Sequence, residues 1–481
     1  MSAPPIILLL HRLLRVDDHP ALRAACDTGR SVIPLYVHDD TSPGAWAPGG
    51  ASRWWLHHSL MALAEDLEAR GAPLMVRRGE TVETVTELAG EAGASGVYLT
   101  RGHEPWVREM EVRLNTSLSR RGVEVKRFTG RLLADPDTVR TKSGDVYKVY
   151  TPFWRALRSC PIRTPVDPPS RIQAFEPALV TLTVAELGLL PTRPDWAGGL
   201  RDAWIPGPAG ANARIARFIE TALAGYDELR NRPDLEGTSK LSPHLHFGEV
   251  SVARLWHGIV ARLEADGRGP TGAETFLKEL VWREFSYHLL HHFPSLPEHP
   301  FRDAFRAFPW REDHSALAAW QTGLTGYPIV DAGMRELWHT GWMHNRVRMI
   351  VGSFLAKNLL LPWQAGEAWF WDCLVDADLA SNAASWQWVS GSGADAAPYF
   401  RIFNPVTQGE RYDPHGAYVR RWVPELARLP TQFIHAPWLA AKNVLLEAGV
   451  DLGSTYPAPI VDHKQTRTRA LEAYEVVKSA R

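Results

Sequence analysis

The hydrophobic pattern changes character along the chain, and this change constrains the fold more than any other feature. In the first 130 residues, short apolar runs alternate with longer amphipathic segments such as 52–70 and 82–92. The apolar runs that predict strands are Ile6–Leu10, Val32–Val37, Leu74–Val76, Val97–Leu99 and Val123–Val125. The alternation predicts a parallel, doubly wound α/β sheet with helices on both faces. Ligands of such sheets bind beyond the carboxyl ends of the strands.

The rest of the chain divides into a connector and a helical region. Seven prolines between residues 161 and 194 interrupt any long periodic element, which predicts a long connector over the surface. From about residue 210, apolar residues recur every three or four positions, as in Thr275–His292 and Thr466–Ser479. We therefore expect an α/β domain over residues 1–133, a connector over 134–205, and a larger all-α domain over 206–481.

The composition excludes several classes of protein. Formal net charge is -1 over 481 residues, so a face that binds nucleic acid requires local clustering of Arg and Lys. The three cysteines form no C-x-x-C pair, which excludes a disulfide framework and a four-cysteine iron–sulfur site. No apolar run reaches the roughly 20 residues that a membrane span needs. We expect a monomer in a reducing cytoplasm, without membrane association.

Polar and aromatic side chains are concentrated between residues 341 and 388. The segments are Gly341-Trp342-Met343-His344-Asn345-Arg346-Val347-Arg348-Met349, Asp376-Ala377-Asp378-Leu379-Ala380-Ser381-Asn382 and Trp386-Gln387-Trp388. Such side chains are costly to bury unless they are paired, stacked or hydrogen-bonded. The concentration predicts a pocket for a flat, charged ligand with polar edges.

A second polar segment precedes one helical segment of the all-α domain. Gly237-Thr238-Ser239-Lys240-Leu241-Ser242-Pro243 offers hydroxyls, backbone N–H groups and one cation, which together can hold phosphate. An ordinary capped helix start is the alternative, because Ser and Thr are common N-caps.

Two sets of three side chains each share a helix face, because their spacing is i, i+3, i+4: Glu279, Trp282 and Arg283, and Asn345, Arg348 and Met349. A surface ion pair beside a core tryptophan would also explain the first set. In the second set, burying the polar groups of Asn and Arg costs free energy unless a ligand forms hydrogen bonds with them.

Two further groups have the spacing of metal ligands. Asp376 and Asp378 would suit metal binding, acid–base chemistry or helix capping. His288, His291 and His292 share a helix, but no carboxylate–histidine motif accompanies them. We predict no metal site and expect these histidines at a pocket rim or facing DNA.

These motifs, in this order, resemble those of the DNA photolyase/cryptochrome family, and most closely its bacterial cyclobutane-pyrimidine-dimer photolyases. The signature run Trp282-Arg283-Glu284-Phe285 and the Thr-Ser-x-Leu-Ser-Pro run at 238–243 carry the resemblance together with the segments above. It covers nearly the whole chain. It implies a deoxyribodipyrimidine photo-lyase, in which light drives an electron from reduced FAD to a pyrimidine dimer flipped out of UV-damaged DNA.

The resemblance also implies the roles of individual residues. FAD would be bound by Tyr226, Thr238, Ser239, Lys240, Leu241, Ser242, Arg283, Arg348, Asp376, Asp378 and Asn382. The lesion and the DNA would be bound by Glu279, Trp282, Asn345, Arg346, Met349 and Trp388. Catalysis would depend on Glu279, Asn345 and Asn382, with Trp386, Trp363 and Trp310 as an electron relay. Lys240 stands where the family usually has Arg, so it keeps the charge and loses bidentate geometry.

Three alternatives remain open. A cryptochrome-type blue-light photoreceptor would share the FAD pocket, but plant cryptochromes carry Asp at the position of Asn382, which argues for repair. A (6-4) photolyase would carry two histidines around His344-Asn345-Arg346, where this chain lacks the second. A nucleotide-dependent oxidoreductase built on the first sheet would need a glycine fingerprint near Leu10, which is missing.

The N-terminal motif departs from the family pattern. The chain reads His11-Arg12-Leu13-Leu14-Arg15-Val16-Asp17-Asp18-His19-Pro20, in which Leu13 replaces the family's internal Asp. Arg101-Gly102-His103-Glu104-Pro105 likewise replaces an Asn-Arg-x-Tyr-Glu-Pro type of element. Both lie in the domain that binds an antenna chromophore of folate or deazaflavin type in the family. The identity and the presence of an antenna are therefore open.

Overall fold

An α/β domain is followed by a connector and a helical domain in the computed structural model, which describes residues 3–266, 272–396 and 400–479. This arrangement confirms the fold class predicted from the hydrophobic pattern. The exact boundaries at residues 133 and 205 remain predictions. Among the described residues, no helix is long and apolar enough to cross a membrane.

The first domain contains one five-stranded sheet in which every pairing is parallel, with the order β3-β2-β1-β4-β5. The strands are β1 (Ile6–Leu10), β2 (Val32–His38), β3 (Met75–Arg78), β4 (Gly96–Thr100) and β5 (Glu124–Phe128). Alternate residues of β1 enter the two apolar layers, Ile6, Leu8 and Leu10 on one face and Ile7 and Leu9 on the other. Both faces are thus covered, as the continuous apolar run predicts.

Four helices flank this sheet and two interrupt the connector. Those of the first domain are α1 (Pro20–Asp27), α2 (Gly50–Glu68), α3 (Thr81–Glu91) and α4 (Pro105–Ser119). The connector carries α5 (Tyr150–Arg158) and α6 (Gly198–Ala203). The connector also touches the sheet, because the Val32 backbone N–H donates to the Gln173 carbonyl at 2.8 Å.

The regular elements of the second domain are helices, apart from one isolated bridge between Leu452 and Tyr456, in the part of the chain that the structure describes. Its helices are α7 (Pro208–Thr221), α8 (Tyr226–Leu229), α9 (Ser242–Phe247), α10 (Val252–Asp266), α11 (Gly272–His292), α12 (His314–Thr322), α13 (Pro328–Thr340), α14 (Asn345–Ser353), α15 (Trp363–Cys373), α16 (Leu379–Ser390), α17 (Pro405–Tyr412), α18 (Ala417–Trp422), α19 (Lys442–Ala448) and α20 (His463–Ser479). A π-helical turn, Phe354–Asn358, continues α14. Helix α11 packs against α16, and α14 and α15 pack against α16 as well, so these four helices surround one space.

Candidate functional site

A large cavity lies among helices α11, α14 and α16 and has a volume of ≈ 490 Å³, within the usual range of about 300–1,000 Å³ for ligand pockets. Most of the residues that the motifs single out line it: Tyr226, Ser239, Leu241, Ser242, Glu279, Trp282, Arg283, Asn345, Arg348, Met349, Asp376, Asp378, Asn382, Trp386 and Trp388. They come from segments 160 residues apart in the chain, so the fold brings the separate motifs together in one place.

Five of the selected residues lie outside this lining. The Lys240 ammonium lies over the Trp342 ring, 5.4 Å from its centroid. Thr238 lies two residues before Lys240 in the chain. Arg346 donates to Asn231 Oδ1 at 2.5 Å on the outer side of α14. Trp363 is buried at 1% exposure, and Trp310 packs against Phe308.

The hydroxyl-rich segment forms a tight turn at one end of the cavity. Lys240 has a positive φ of 51°, and Leu241 N donates to Ser239 Oγ at 3.4 Å. Ser242 begins α9, and its Oγ accepts a hydrogen bond from Trp342 Nε1 at 3.2 Å. The turn therefore presents hydroxyls and backbone N–H groups at the cavity wall, the combination that binds phosphate oxygens.

An ion pair fixes the adjacent wall. Arg348 Nη2 reaches both carboxylate oxygens of Asp376, at 3.1 Å and 2.9 Å. Its Nε donates to the Met343 carbonyl at 2.8 Å. Because both ends of the guanidinium are held, Arg348 and Asp376 present a rigid polar surface to a ligand.

Asp378 serves two purposes. Its Oδ1 accepts from Ser381 N at 2.9 Å, so it is the N-cap of α16, as the helix-capping alternative proposed. Its Oδ2 accepts from the Tyr287 hydroxyl and lies 3.4 Å from His246 Nδ1. Burial alone would raise the pKa of Asp378, but the hydrogen bond from His246 and the charges of Arg131 and Arg283 hold that pKa well below its usual range.

Asn382 is oriented by a backbone contact. Its Nδ2 donates to the Glu367 carbonyl at 3.1 Å, which leaves Oδ1 available to the cavity. The Glu367 side chain is 1% exposed, and its burial holds the pKa of that carboxyl well above its usual range. The amide is thus an uncharged acceptor at the cavity wall.

Trp386 closes one side of the cavity against α15. Its indole packs edge-on against Phe370, with ring centroids 5.0 Å apart, and against Trp320 at 6.1 Å. A Cβ at Gly366 would lie 2.1 Å from the Trp386 ring, so only glycine permits this approach of the two helices. The buried Nε1 of Trp386 has no hydrogen-bond partner among the described residues, which leaves it available to a ligand group.

The opposite end of the cavity is more open and carries the residues assigned to the lesion. Trp282 lies flat on Tyr150, with ring centroids 3.7 Å apart and an interplanar angle of 3°. Glu279 pairs with Arg230 at 2.9 Å, and burial nevertheless raises the pKa of the Glu279 carboxyl. Asn345 begins α14 and is exposed. This end combines a preformed aromatic platform with hydrogen-bonding groups.

Two residues of the site were missed by the sequence analysis. Tyr150 supports the wall of the cavity, and His246 lines the cavity. His246 had a signal, because it lies four residues after Ser242 and therefore shares its helix face. The stacking of Tyr150 on Trp282 joins residues 132 positions apart, and no local pattern predicts it.

The histidines of α11 are not at the pocket rim or facing DNA, so that expectation is wrong. His288 and His291 are 0% and 5% exposed, and they pack beneath the connector. Asp137, His291 and His292 bring ligand atoms within 4.8 Å of one another. However, Arg101 and His291 already bind the Asp137 carboxylate, at 2.7 Å and 2.8 Å, so the charges are satisfied as ion pairs.

A second, smaller cavity of ≈ 60 Å³ lies in the first domain beyond the carboxyl ends of β1 and β2. Its lining includes His11, Arg12, Tyr36, Asp39 and Trp106. This is the edge where the parallel sheet predicts a ligand.

Comparisons with known proteins agree with this geometry. The DNA photolyase family profile matches residues 6–170, and that of the FAD binding domain of DNA photolyase matches residues 276–476. Deoxyribodipyrimidine photo-lyase of Agrobacterium fabrum is 49% identical, over 99% of each chain. Cryptochrome-1 of Arabidopsis thaliana is 38% identical over 97% of this chain and 70% of its own. A crystal structure of a bacterial class III photolyase from Agrobacterium tumefaciens superimposes with a TM-score of 0.95 at 49% identity, covering 100% of this chain and 98% of that one. The chain therefore belongs to the DNA photolyase/cryptochrome family.

Proposed function

We propose that this protein is a light-driven photolyase that splits cyclobutane pyrimidine dimers in DNA. The observation that carries the proposal is a single cavity with two different ends, one suited to a flavin dinucleotide and one to a flipped-out pyrimidine dimer. Full-length identity of 49% to a deoxyribodipyrimidine photo-lyase supports the same reaction. A (6-4) photolyase is less well supported, because no second histidine follows His344 in α14.

The cavity fits FAD in both size and chemistry. Ser239 and Ser242 would hold the pyrophosphate, and Tyr226 and Leu241 would line its path. The Arg348–Asp376 pair, Arg283, Asp378 and Asn382 would surround the ring system, with Trp386 beside it. Thr238 and Lys240 would contribute from just outside the lining. When bound and reduced, FAD supplies the light-driven electron that splits the cyclobutane ring.

The protein's own residues would bind and orient the DNA. Trp282 and Trp388 would form the apolar walls for the dimer, and Glu279 and Asn345 would bond its polar edges. Met349 lines the same end, while Arg346 lies on the outer side of α14, where a DNA phosphate can reach it. Trp386, Trp363 and Trp310 would carry electrons between flavin and surface.

The experiment distinguishes DNA repair from a photoreceptor function. The photoreceptor is the alternative because the chain is 38% identical to a plant cryptochrome. Purified protein is assayed for FAD content by its visible spectrum, then reduced and mixed with an oligonucleotide that contains one thymine dimer. We expect stoichiometric FAD and dimer splitting under blue light, with none in the dark. Retention of reduced FAD without splitting would reject the lyase and favour the photoreceptor.

Three further properties belong to the proposal. The first domain is the candidate domain for an antenna chromophore, which a second absorbing species in the purified protein would reveal. We propose that the protein is a cytoplasmic monomer. Light scattering coupled to size exclusion tests the oligomeric state, and fractionation of the source cells tests the location.

A further inference from the structure

One histidine connects the two domains at the wall of the large cavity. His246 lies in α9 and is 2% exposed. Its Nε2 contacts the Arg12 guanidinium, which follows β1 in the first domain. Its Nδ1 lies 3.4 Å from Asp378 Oδ2 in the second domain. Arg12 also lines the smaller cavity, so the series Arg12–His246–Asp378 reaches from one cavity to the other.

The chemistry of these three groups determines the tautomer of His246. A guanidinium has only N–H donors, so the nitrogen that faces Arg12 must be an acceptor. The proton of a neutral imidazole then resides on Nδ1, where it faces the Asp378 carboxylate. Asp378 can only accept when ionised, so donor and acceptor match along the whole series.

Protonation of His246 would break this match, because a second N–H would then point at the guanidinium. Burial and the Arg12 charge lower the pKa of His246 to about 4, against the opposing effect of Asp378. The other titratable or charged groups around it are His11, Glu104, Arg131, Arg283 and Tyr287. Glu104 and Arg131 neutralise each other through two hydrogen bonds of 2.8 Å, so Arg12 is the dominant nearby cation.

We propose that Arg12 and His246 are positioning residues for the flavin site: Arg12 fixes His246 as the neutral Nδ1–H tautomer, and His246 holds the Asp378 carboxylate as an ionised acceptor at the cavity wall. This inference rests on the proposed function, because it takes the cavity to hold FAD. Its consequence is a constant charge beside the flavin through the neutral pH range. Without Arg12, His246 would take up a proton and cancel the charge of Asp378.

The test is the absorption spectrum of FAD bound to the holoenzyme, titrated from pH 8 down to pH 5.5. The wild type should give an unchanging flavin band. Arg12→Met should bring a one-proton transition of His246 into this range, because loss of the Arg12 charge lets Asp378 raise the pKa of His246 against the effect of burial. The double variant Arg12→Met/His246→Gln should lose that transition, and Arg12→Lys should suppress it because the cation is retained. A flat Arg12→Met profile with FAD bound would overturn the inference.

Two controls keep the outcomes separable. If the wild type binds FAD and splits dimers while Arg12→Met is flat, this inference fails and the proposed function stands. If the wild type binds no FAD, the proposed function itself fails. Arg12→Gln replaces Arg12→Met if the latter does not fold, and the same transition is expected. Failure of both variants to fold would overturn the inference, because Arg12 would then act in domain stability.

Discussion

The stacking of Trp282 on Tyr150 leads to a quantitative prediction about recognition of the lesion. Trp282 lines the open end of the cavity, and one face of its indole is covered by the Tyr150 ring at 3.7 Å. The Tyr150 hydroxyl donates to the Lys278 carbonyl at 2.6 Å, which anchors the pair to α11. Replacement of Trp282 by Ala removes the platform that we expect to stack on the dimer.

The magnitude follows from the stacking and from its preorganisation. Base–aromatic stacking is worth about 1–3 kcal/mol by alanine substitution. A free side chain loses about 0.5–1.5 kcal/mol when binding immobilises it, and Tyr150 has already removed that freedom. We therefore expect the upper half of the range for Trp282→Ala, roughly 2–3 kcal/mol or 30- to 160-fold in affinity for dimer-containing DNA. Tyr150→Ala should cost roughly 0.5–1.5 kcal/mol, because it only releases the indole.

Matched fluorescence-anisotropy titrations in the dark, with dimer-containing and undamaged duplexes, measure these effects. Undamaged DNA should be held mainly through phosphates and should not respond to Trp282. Tyr150→Phe is the control for the hydroxyl and should remain close to wild type. Arg346→Ala is the control for phosphate contact, and it should weaken both DNAs and reduce the salt dependence. Equal weakening of both DNAs by Trp282→Ala, with FAD retained, would refute the reasoning.

Two further predictions concern the relay and the buried histidines. Trp386→Phe should block photoreduction of oxidised flavin and leave repair by pre-reduced enzyme largely intact, since Trp386 is the one proposed relay residue in the cavity lining. Flavin absorbance under illumination and a repair assay on one preparation measure the two activities, and equal loss of both would contradict the separation. Acidification from pH 7 to 5 should lower the urea midpoint of unfolding, because burial lowers the pKa values of His19, His103 and His344 to about 3. The stability that these neutral histidines allow is complete above the unfolded pKa of about 6.5, and it falls below that pH by up to roughly 1.4 kcal/mol per pH unit for each histidine. An unchanged midpoint would contradict this account.

Local patterns in the sequence were enough to predict the elements but not the contacts that support the site. Strands such as β1 were predictable because a buried parallel strand is a continuous apolar run. The cavity residues of α14 and α16 were predictable because their polar side chains have no favourable place in a core without a ligand. The Arg12–His246 and Tyr150–Trp282 contacts were not, since each joins residues more than 130 positions apart. Periodicity carries information about one element at a time, whereas these contacts depend on how the domains meet.

The N-terminal motif also forms contacts between domains that no local pattern predicts, and these contacts lead to a last prediction. The motif retains Asp18, which is 0% exposed and accepts two hydrogen bonds from Arg163 at 2.5 Å and 2.6 Å. Asp18 also accepts from Val166 N at 2.9 Å and from the Ser251 hydroxyl, so it joins the first domain, the connector and the second domain. Burial alone would raise the pKa of Asp18, but these hydrogen bonds lower it.

We therefore expect Asp18→Asn to destabilise the whole protein. Removal of one partner from a buried ion pair costs about 3–5 kcal/mol, and the lower end applies because Arg163 is partly exposed. Asn keeps the shape of Asp and tolerates the positive φ of 45° at this position, so the change removes the charge and one acceptor oxygen without disturbing the backbone. Asp17→Asn is the matched control, because its ion pair with Arg254 is about half exposed and should contribute no more than about 1 kcal/mol.

Urea unfolding followed by tryptophan and flavin fluorescence should show a lower midpoint for Asp18→Asn by both signals, because the lost contacts belong to both domains. A drop confined to one signal, or equal midpoints for the two variants, would mean that Asp18 does not join the domains.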